Sequence, residues 1–585
     1  MRHRALTHRS AAVAELRRLE VFLIRPTKYD GDGYLLRHFR GVLPSNTLAC
    51  LHALTEDVAA RRLLGPVSVR THLCDESVEA VRDRQIRRAA RRNDTRAIVC
   101  LVGVQTSQFP RTMDLARRFR ALGVSVLVGG FHVSGSLAML NGTPPELRAL
   151  LDLGVTLVAG EVETIWDQIL RDAAQDTLAP SYNTLAALPV LTNAPIPRLV
   201  PQTLQRFVHR HFGTIDASRG CPFSCSFCTI INVQGRSMRA RAADRLAAAI
   251  LDNYRENGTR DYFFTDDDFA RNPRWKEIFA ALIHLRESEG LPLRFLMQTD
   301  LLAHRIPGFV EQAARAGCFQ VFLGMESLNP ESLRNGGKRQ NQVADYAALV
   351  EAWHRADILT HVGYIIGFPH DTPDSVRANL RTLRDEVRPD VASFFMLTPL
   401  PGSRDHRDLV DSGIALDADL NRYDTFHAVV DHPRMSRDEW DSLYREAWED
   451  FYDMRVLVRQ MQQAPEAQRA TLLQIYLWYG AAVRVEGFHP MMTGFLRLRP
   501  RRDRRSGRAH EGRWRHARRR LPEVAAAVHG YLGLLRGLER VWRQTSVAPS
   551  SGAVSRWTEF LRALFSNGSK PIFRYCSGSA VLRCK

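Results

Sequence analysis

Three cysteines stand close together in the run Ser218-Arg219-Gly220-Cys221-Pro222-Phe223-Ser224-Cys225-Ser226-Phe227-Cys228. Thiolates are soft ligands, suited to iron–sulfur clusters and to zinc. The C-x3-C-x2-C spacing puts three of them on one short loop. That set can ligate three irons of a four-iron cube and leave the fourth iron open. A closed structural zinc site takes four ligands, usually as two separated pairs, and no second Cys/His pair of matching spacing follows. The remaining cysteines, Cys50, Cys74, Cys100, Cys318, Cys576 and Cys584, are dispersed. An odd, scattered set argues against a disulfide framework and for a reducing, cytoplasmic setting.

The elements around this loop must hold it. From His211 onward, apolar runs alternate with helix-like stretches. Strands are expected at 212–217, 261–265, 293–298, 319–325, 359–366 and 390–397, and helices at 240–256, 274–288, 308–316, 342–356 and 373–386. Six such β/α units make a partial barrel rather than the full eight. The cysteine loop directly follows its first strand. Residues 17–175 also alternate, with apolar strand-like runs at Val21–Ile24, Ala97–Val104, Val124–Val128 and Val155–Ala159. This pattern predicts a parallel sheet covered by helices, with ligands at the carboxyl ends of its strands. A Pro-rich linker, 176–204, separates the two.

In its loop and its barrel rhythm, the stretch from about 205 to 405 resembles the radical S-adenosylmethionine (SAM) superfamily. The resemblance implies a 4Fe–4S cluster on Cys221, Cys225 and Cys228 whose open iron binds the amino and carboxylate groups of SAM. An electron then splits SAM into methionine and a 5′-deoxyadenosyl radical. It also implies roles at later strand ends. Phe227 lies near the adenine. Asp266, Asp267 and Asp268 stand where the family has a Gly-Gly-Glu type motif for the SAM amino group, a departure that leaves open which aspartate makes the contact. Gln298 ends the third strand. Glu326 suits the ribose hydroxyls, since a carboxylate accepts two hydroxyl hydrogen bonds. Gly363, Ile365 and Gly367 resemble the G-x-I-x-G adenine motif.

Placed before such a barrel, residues 17–175 resemble the cobalamin-binding domain of a radical SAM subclass. The residues that carry this are Gln105, Thr106 and Ser107, then Gly129, Gly130 and His132, then Gly160 and Glu161. Glycines let backbone approach a corrin or its nucleotide tail closely. A D-x-H-x-x-G signature, which supplies a histidine to cobalt, is missing. The corresponding region, Asp75-Glu76-Ser77, has no histidine. His132 is the alternative ligand, set against an ordinary hydrogen-bonding role, and a Rossmann-like relic that binds nothing is the alternative for the whole domain.

The fold class expected is therefore α/β. A tail (1–16) precedes a Rossmann-like cobalamin-binding-type domain (17–175), the linker (176–204) and a partial (β/α)6 radical SAM barrel (205–405). A mainly helical C-terminal domain (406–500) and a basic, partly irregular tail (501–585) follow. At 585 residues, with 45% hydrophobic and 25% charged residues, the chain can bury cores without disulfide staples. No window of about 18 apolar residues predicts a membrane-spanning helix. The net charge of +18 is concentrated between Arg497 and Arg520, where twelve arginines face only Asp503 and Glu511. A solvated or disordered basic segment is the expectation, and nucleic acid is not an expected partner. Phe488–Leu496 with this arginine run forms a candidate peripheral contact with an anionic membrane. Trp440, Tyr444, Trp448, Trp478 and Tyr479 read as core aromatics.

The resemblance implies radical methylation, or a related modification, of an unactivated carbon in a small-molecule or lipid-like substrate, with electrons from a flavodoxin- or ferredoxin-type donor. Two other classes stand beside it. A tRNA methylthiotransferase would use Cys50, Cys74 and Cys100 for a second cluster. A non-enzymatic cobalamin or redox sensor would use the basic tail as an interaction arm.

Overall fold

A computed structural model describes residues 15–464 and 466–545 and, further on, Trp557, Thr558, Phe560, Leu561 and Leu564. The first fourteen residues, Cys576 and Cys584 lie outside the described residues, as does most of the Ser/Gly-rich end.

The first seven strands are β1 (Arg18–Arg25), β2 (Arg37–Arg40), β3 (Ser68–Asp75), β4 (Thr95–Leu101), β5 (Ser125–Gly129), β6 (Thr156–Ala159) and β7 (Ser181–Asn183). Six of them form a parallel sheet in the order β3-β1-β4-β5-β6-β7. Its two faces carry separate cores, one around Phe22, Val99 and Val126, the other around Leu23, Ile98 and Leu127. A parallel sheet covered on both faces needs apolar residues at nearly every position of its central strands, which is why β1 and β4 are legible as runs. The strand order turns back at β1, and ligands gather at the carboxyl ends beside such a point. β3, at the sheet edge, carries Arg70 and His72, and β7 falls within the Pro-rich stretch read as linker.

The second sheet is also parallel. After β8 (Phe212–Ile215) comes the short hairpin of β9 (Ser218–Arg219) and β10 (Arg239–Ala240). Then follow β11 (Asp261–Phe264), β12 (Arg294–Thr299), β13 (Cys318–Glu326), β14 (Leu359–Ile366) and β15 (Val391–Met396). The order β15-β14-β13-β12-β11-β8 leaves a six-stranded barrel open between β15 and β8. Helices Ala243–Asn257, Trp275–Glu287, Phe309–Ala316, Tyr346–His354 and Pro373–Thr382 cover its outside. All six strands fall within two residues of the ranges expected from the sequence.

Helix Arg437–Phe451 packs on β14 and β15, and helices Met454–Gln463 and Glu466–Gly480 extend the same core. Trp440 and Trp448 are 1% and 2% exposed, and the Tyr452 hydroxyl donates to the Ala392 carbonyl at 2.6 Å. These aromatics are core.

The basic segment is not free. The last strand, β16 (Phe495–Leu498), pairs antiparallel with β2. Arg499 reaches Asp30 at 3.1 Å and Asp32 at 3.1 Å, and Arg505 holds Asp419 at 2.7 Å. Arg504 and Arg519 lie over the Tyr34 ring. The expectation of a disordered segment is thus corrected, while Arg502, Arg508, Arg513, Arg515 and Arg518 are solvated as expected. The paired arginines strap the C-terminal region onto the first domain, because acids far away in sequence meet them. No helix among the described residues is long and apolar enough to cross a membrane.

Candidate active site

β8 ends at Ile215, and the chain turns through Gly220 into the cysteine loop. Gly220 has φ +100°, and a Cβ there would come 2.5 Å from the Ser237 carbonyl oxygen, so only glycine makes this entry without strain. Cys225 is buried and Cys221 and Cys228 half-buried, all as free thiols. Burial pushes Cys221 and Cys228 up to about 12, and Cys225 upward too, with Lys338 opposing. The three thiols feel one another's charge. A soft cation that deprotonates all three relieves that cost. Among the described residues no three His, Cys, Asp or Glu side chains converge as a single-ion site requires. Three thiolates that each bind a different iron of a cube need not converge, so this donor set fits the cluster.

The loop after β13 clamps the cysteine loop from outside. Ser226 N–H donates to the Gly336 carbonyl at 3.0 Å, and a Cβ on Gly337 would stand 2.6 Å from the Ser224 carbonyl. Lys338, next in the chain, turns inward to Glu326 at 2.9 Å. Burial opposes its charge, but Glu326, Cys225 and Cys228 together outweigh burial and hold its pKa above the ordinary value. Lys338 was not singled out in the sequence. The Gly336-Gly337 pair before it is the only signal there. Glu326 itself sits at φ +65°, where the β13–β14 register slips between Gly324 and Glu326. A strained, non-glycine residue at a strand end is a mark of a functional position.

The three aspartates after β11 divide their roles. Asp266 is buried and accepts from Ala217 N–H at 2.8 Å and from the Ser218 hydroxyl, tying β11 to the cysteine-loop entry. Asp268 accepts from Asp300 N–H at 3.2 Å. Among the described residues Asp267 takes no side-chain hydrogen bond. Its carboxyl is pushed up to about 8 by burial and by Asp266, against the pull of Arg219, and it acts electrostatically on Cys221 and Cys228. Gln298 donates to the Asp266 carbonyl at 3.1 Å.

Phe227 meets Phe368 edge-on at 6.1 Å. Gly363 and Gly367 have packing reasons of their own. A Cβ on Gly363 would lie 2.8 Å from the Phe322 ring, and one on Gly367 (φ +106°) 2.0 Å from Trp440. Asp371 accepts from Gly367 and Phe368 N–H at 2.9 Å each, which fixes the turn after β14. Ile365, between the glycines, is 8% exposed.

A cavity of about 190 Å³ opens at the carboxyl ends of β4, β5 and β6. Gly129, Gly130, Gly160 and Glu161 line it, and so do Arg219 and Gln234 from the barrel domain. Gly130 has φ +139°, and a Cβ there would fall 2.1 Å from Val104 N. Gly130 is thus required by its own turn; what fits a cofactor such as cobalamin is the cavity's place, at the carboxyl ends of the strands and walled by both domains. Arg219 crosses between the domains, to Glu161 and Glu163 at 2.6 Å each and to Asp216 at 3.0 Å. Arg239 also holds Glu161, and Arg241 holds Asp216 at 2.9 Å.

Gln105, Thr106, Ser107 and His132 do not line this cavity. His132 is fully buried, its ring tilted against Phe109, with Nδ1 3.2 Å from the Thr106 hydroxyl. Burial pushes it down to about 3, so it is neutral, and its buried Nε2 has no hydrogen-bond partner among the described residues. Asp75-Glu76-Ser77 ends the edge strand, where Glu76 is taken by Arg111 at 2.6 Å. Cys74 belongs to one core of the first sheet and Cys100 to the other. They lie on opposite faces, so Cys50, Cys74 and Cys100 do not form a second cluster site.

Residues 215–383 match the sequence model of the Radical SAM superfamily. The chain is 26% identical over 359 residues to bacteriochlorophyllide d C-12(1)-methyltransferase of Chlorobaculum tepidum, covering 60% of this chain and 73% of that protein. It is 25% identical over 331 residues to hopanoid C-2 methylase of Rhodopseudomonas palustris, covering 55% of this chain and 60% of that protein. Among solved structures, the radical SAM methyltransferase TsrM from Kitasatospora setae, with cobalamin and a 4Fe–4S cluster bound, superposes with a TM-score of 0.53 at 16% identity. That match covers 80% of this chain and 95% of TsrM.

Proposed function

For a chain that carries a radical SAM domain over residues 215–383 behind a parallel-sheet domain of the cobalamin-binding type, we propose radical methylation of an unactivated carbon in a small-molecule or lipid-like substrate. One observation supports this above the rest. Arg219 enters the cysteine loop and also lines the glycine cradle of the first domain, so the two cofactor sites share a wall. Relatives named for methylating bacteriochlorophyllide d and hopanoids point to the same class of substrate.

When bound, the reduced cluster supplies the electron that cleaves SAM, and cobalamin supplies a methyl carrier. The chain's own part is to hold and orient. Asp267 pairs with the SAM ammonium and gains its charge in doing so. Glu326, steadied by Lys338, accepts the ribose hydroxyls. Phe227 and the Gly363–Gly367 turn flank the adenine. Asp266 and Gln298 keep the β11 and β12 ends in register with the cysteine loop. The aromatic layer around Trp440 and Trp448 closes the outside and excludes water. A flavodoxin- or ferredoxin-type protein delivers the electron.

Anaerobic cluster reconstitution with cobalamin titration and an assay for 5′-deoxyadenosine tests the reading. About four irons per chain, stoichiometric cobalamin and reductant-dependent SAM cleavage are expected, with cleavage lost in Cys225→Ala. Retained cleavage in that variant refutes the cluster assignment. Failure to bind any cobalamin form refutes methylation and leaves a plain radical SAM oxidoreductase.

A further inference from the structure

The terminal helix, Arg513–Thr545, exposes a stripe that water does not favour. Trp514 is 90% exposed, Leu521 72%, and Val528 and Leu532 47% each. At 3.6 residues per turn these four fall within an arc of about 40°. Arg515, Arg518 and Arg536, all exposed, flank one side of the stripe, and Arg502, Arg508 and Arg513 are exposed near its start. Near the start of the stripe the acids are already taken, Glu511 by Arg519, and Glu523 by Arg499 and Arg520, and Glu539 lies past its end at Leu532. The exposed side is therefore apolar along its centre and cationic at its edge.

A second observation lies beside it. A cavity of about 530 Å³ opens at the amino ends of the barrel strands, opposite the cysteine loop. Its walls include Leu43, Trp478, Phe495, Val528, Leu532 and Leu535. Val528 and Leu532 thus belong to both the exposed stripe and the cavity wall. The volume falls in the roughly 300–1,000 Å³ range of ligand pockets.

We infer that the terminal helix lies on an anionic lipid bilayer, with the Trp514–Leu532 stripe in the acyl boundary, and that the adjoining cavity takes the hydrocarbon tail of a lipid from that bilayer. The arginines meet lipid phosphates, and the stripe supplies the buried apolar area that interfacial helices need. The charge at the stripe's edge selects a bilayer over a neutral partner. The inference does not depend on the proposed radical chemistry.

The test uses the full reconstituted chain with phosphatidylcholine vesicles, plain or doped with phosphatidylglycerol. Co-sedimentation with the doped vesicles at low salt is expected, with most of it lost at high salt. Leu521→Asp, at an exposed position that leaves the fold intact, lowers partitioning at least about tenfold, as loss of one buried leucine implies. For the cavity, pyrene-labelled phosphatidylglycerol is retained through gel filtration. Leu535→Trp lowers that retention several-fold while vesicle binding is unchanged. Equal binding to both vesicle types, or no effect of Leu521→Asp, overturns the bilayer assignment. So does a dimer that Leu521→Asp converts to monomer, which would make the stripe an interface between copies. Unchanged probe retention in Leu535→Trp overturns the tail site.

Discussion

Arg219→Met is the perturbation whose cost the structure sets most closely. The Arg219 side chain is 10% exposed, and its partners Glu161, Glu163 and Asp216 are 6%, 7% and 2% exposed. Breaking a buried pair by removing one partner costs about 3–5 kcal/mol, because the other charge is left uncompensated. Here two of the three acids keep a cation. Glu161 retains Arg239, and Asp216 retains Arg241 at 2.9 Å and the Asn46 amide at 3.1 Å. Glu163 retains none, and its Oε2 already lacks a hydrogen bond. One orphaned carboxylate places the loss near the low end, about 3 kcal/mol. The group also has an escape, since taking a proton at pH 7 from an ordinary glutamate pKa costs about 3.7 kcal/mol, which caps the penalty.

That escape fixes the sign with pH. Burial without a cation favours the protonated carboxyl, so the variant's folded state binds more protons than its unfolded state and loses stability as pH rises. The deficit against the parent is thus larger at pH 8 than at pH 5. Urea unfolding followed by tryptophan fluorescence, at both pH values, reads it. Adding Glu163→Gln to Arg219→Met removes the orphaned charge and restores about 2 kcal/mol. A loss under about 1 kcal/mol, a deficit flat with pH, or no recovery in the double variant would refute the reasoning. Because Arg219 lines the glycine cradle, cobalamin titration of the same variant shows weakened binding.

Four further outcomes are expected. Asp267→Asn raises the Kd for SAM by about tenfold to a hundredfold, the worth of a charge-assisted hydrogen bond, with an unchanged melting curve; Asp266→Ala instead destabilises by about 2 kcal/mol, because Ala217 N–H is left unpaired. Gly130→Ala sets a side chain at φ +139° against Val104, so thermal unfolding shifts down by more than about 2 kcal/mol and cobalamin uptake falls. His354, held above its ordinary pKa by Asp390 against burial, contributes stability that is full below about pH 6.5 and fades as pH rises through its raised value; urea midpoints of His354→Gln show a weaker fall from acidic to alkaline pH than the parent.

What the sequence could carry follows from what each signal depends on. Strands buried on both faces, such as Leu359–Ile366, need apolar residues throughout, so their runs announce them. β3 escapes because an edge strand tolerates Arg70 and His72. The three aspartates look alike in sequence, and only the hydrogen bonds from Ala217, Ser218 and Asp300 separate Asp267 from its neighbours. Arg219 stands beside the cysteines in plain view, but its meaning lies in Glu161 and Glu163, which belong to another domain. The arginine run misleads for the same reason. Asp30 and Asp32, hundreds of residues away, and Asp419, before the run in another domain, pair with part of it, and charge counted along a chain is blind to such partners.

The two ends of the barrel are built for different contents, and the lumen between them decides whether they communicate. Below Glu326, β13 places Phe322, whose ring meets His361 edge-on at 4.7 Å. Beneath it, Gln320 bonds His361 at 3.2 Å, His361 bonds the Ser393 hydroxyl at 2.9 Å, and Ser393 lies 3.2 Å from the Tyr479 hydroxyl. Burial pushes His361 down to about 3, so this layer is neutral and its hydrogen bonds satisfy one another. Water entering from the apolar cavity meets a closed polar layer and then an aromatic ring. Under the proposed chemistry that barrier keeps hydrogen-atom donors that travel with solvent, such as a thiol reductant, away from a reactive carbon radical. Phe322→Ala removes the ring that also wedges Gly363. A half-buried ring lost from the lumen costs about 2 kcal/mol, below the 3–5 kcal/mol of a full core truncation. Its sharper effect is on coupling: 5′-deoxyadenosine formed without substrate rises, and in deuterated buffer containing a thiol reductant it carries deuterium taken from the S–D bond, leaving a thiyl radical. If both stay at the parent level while SAM still binds, Phe322 is packing alone and the barrier lies elsewhere.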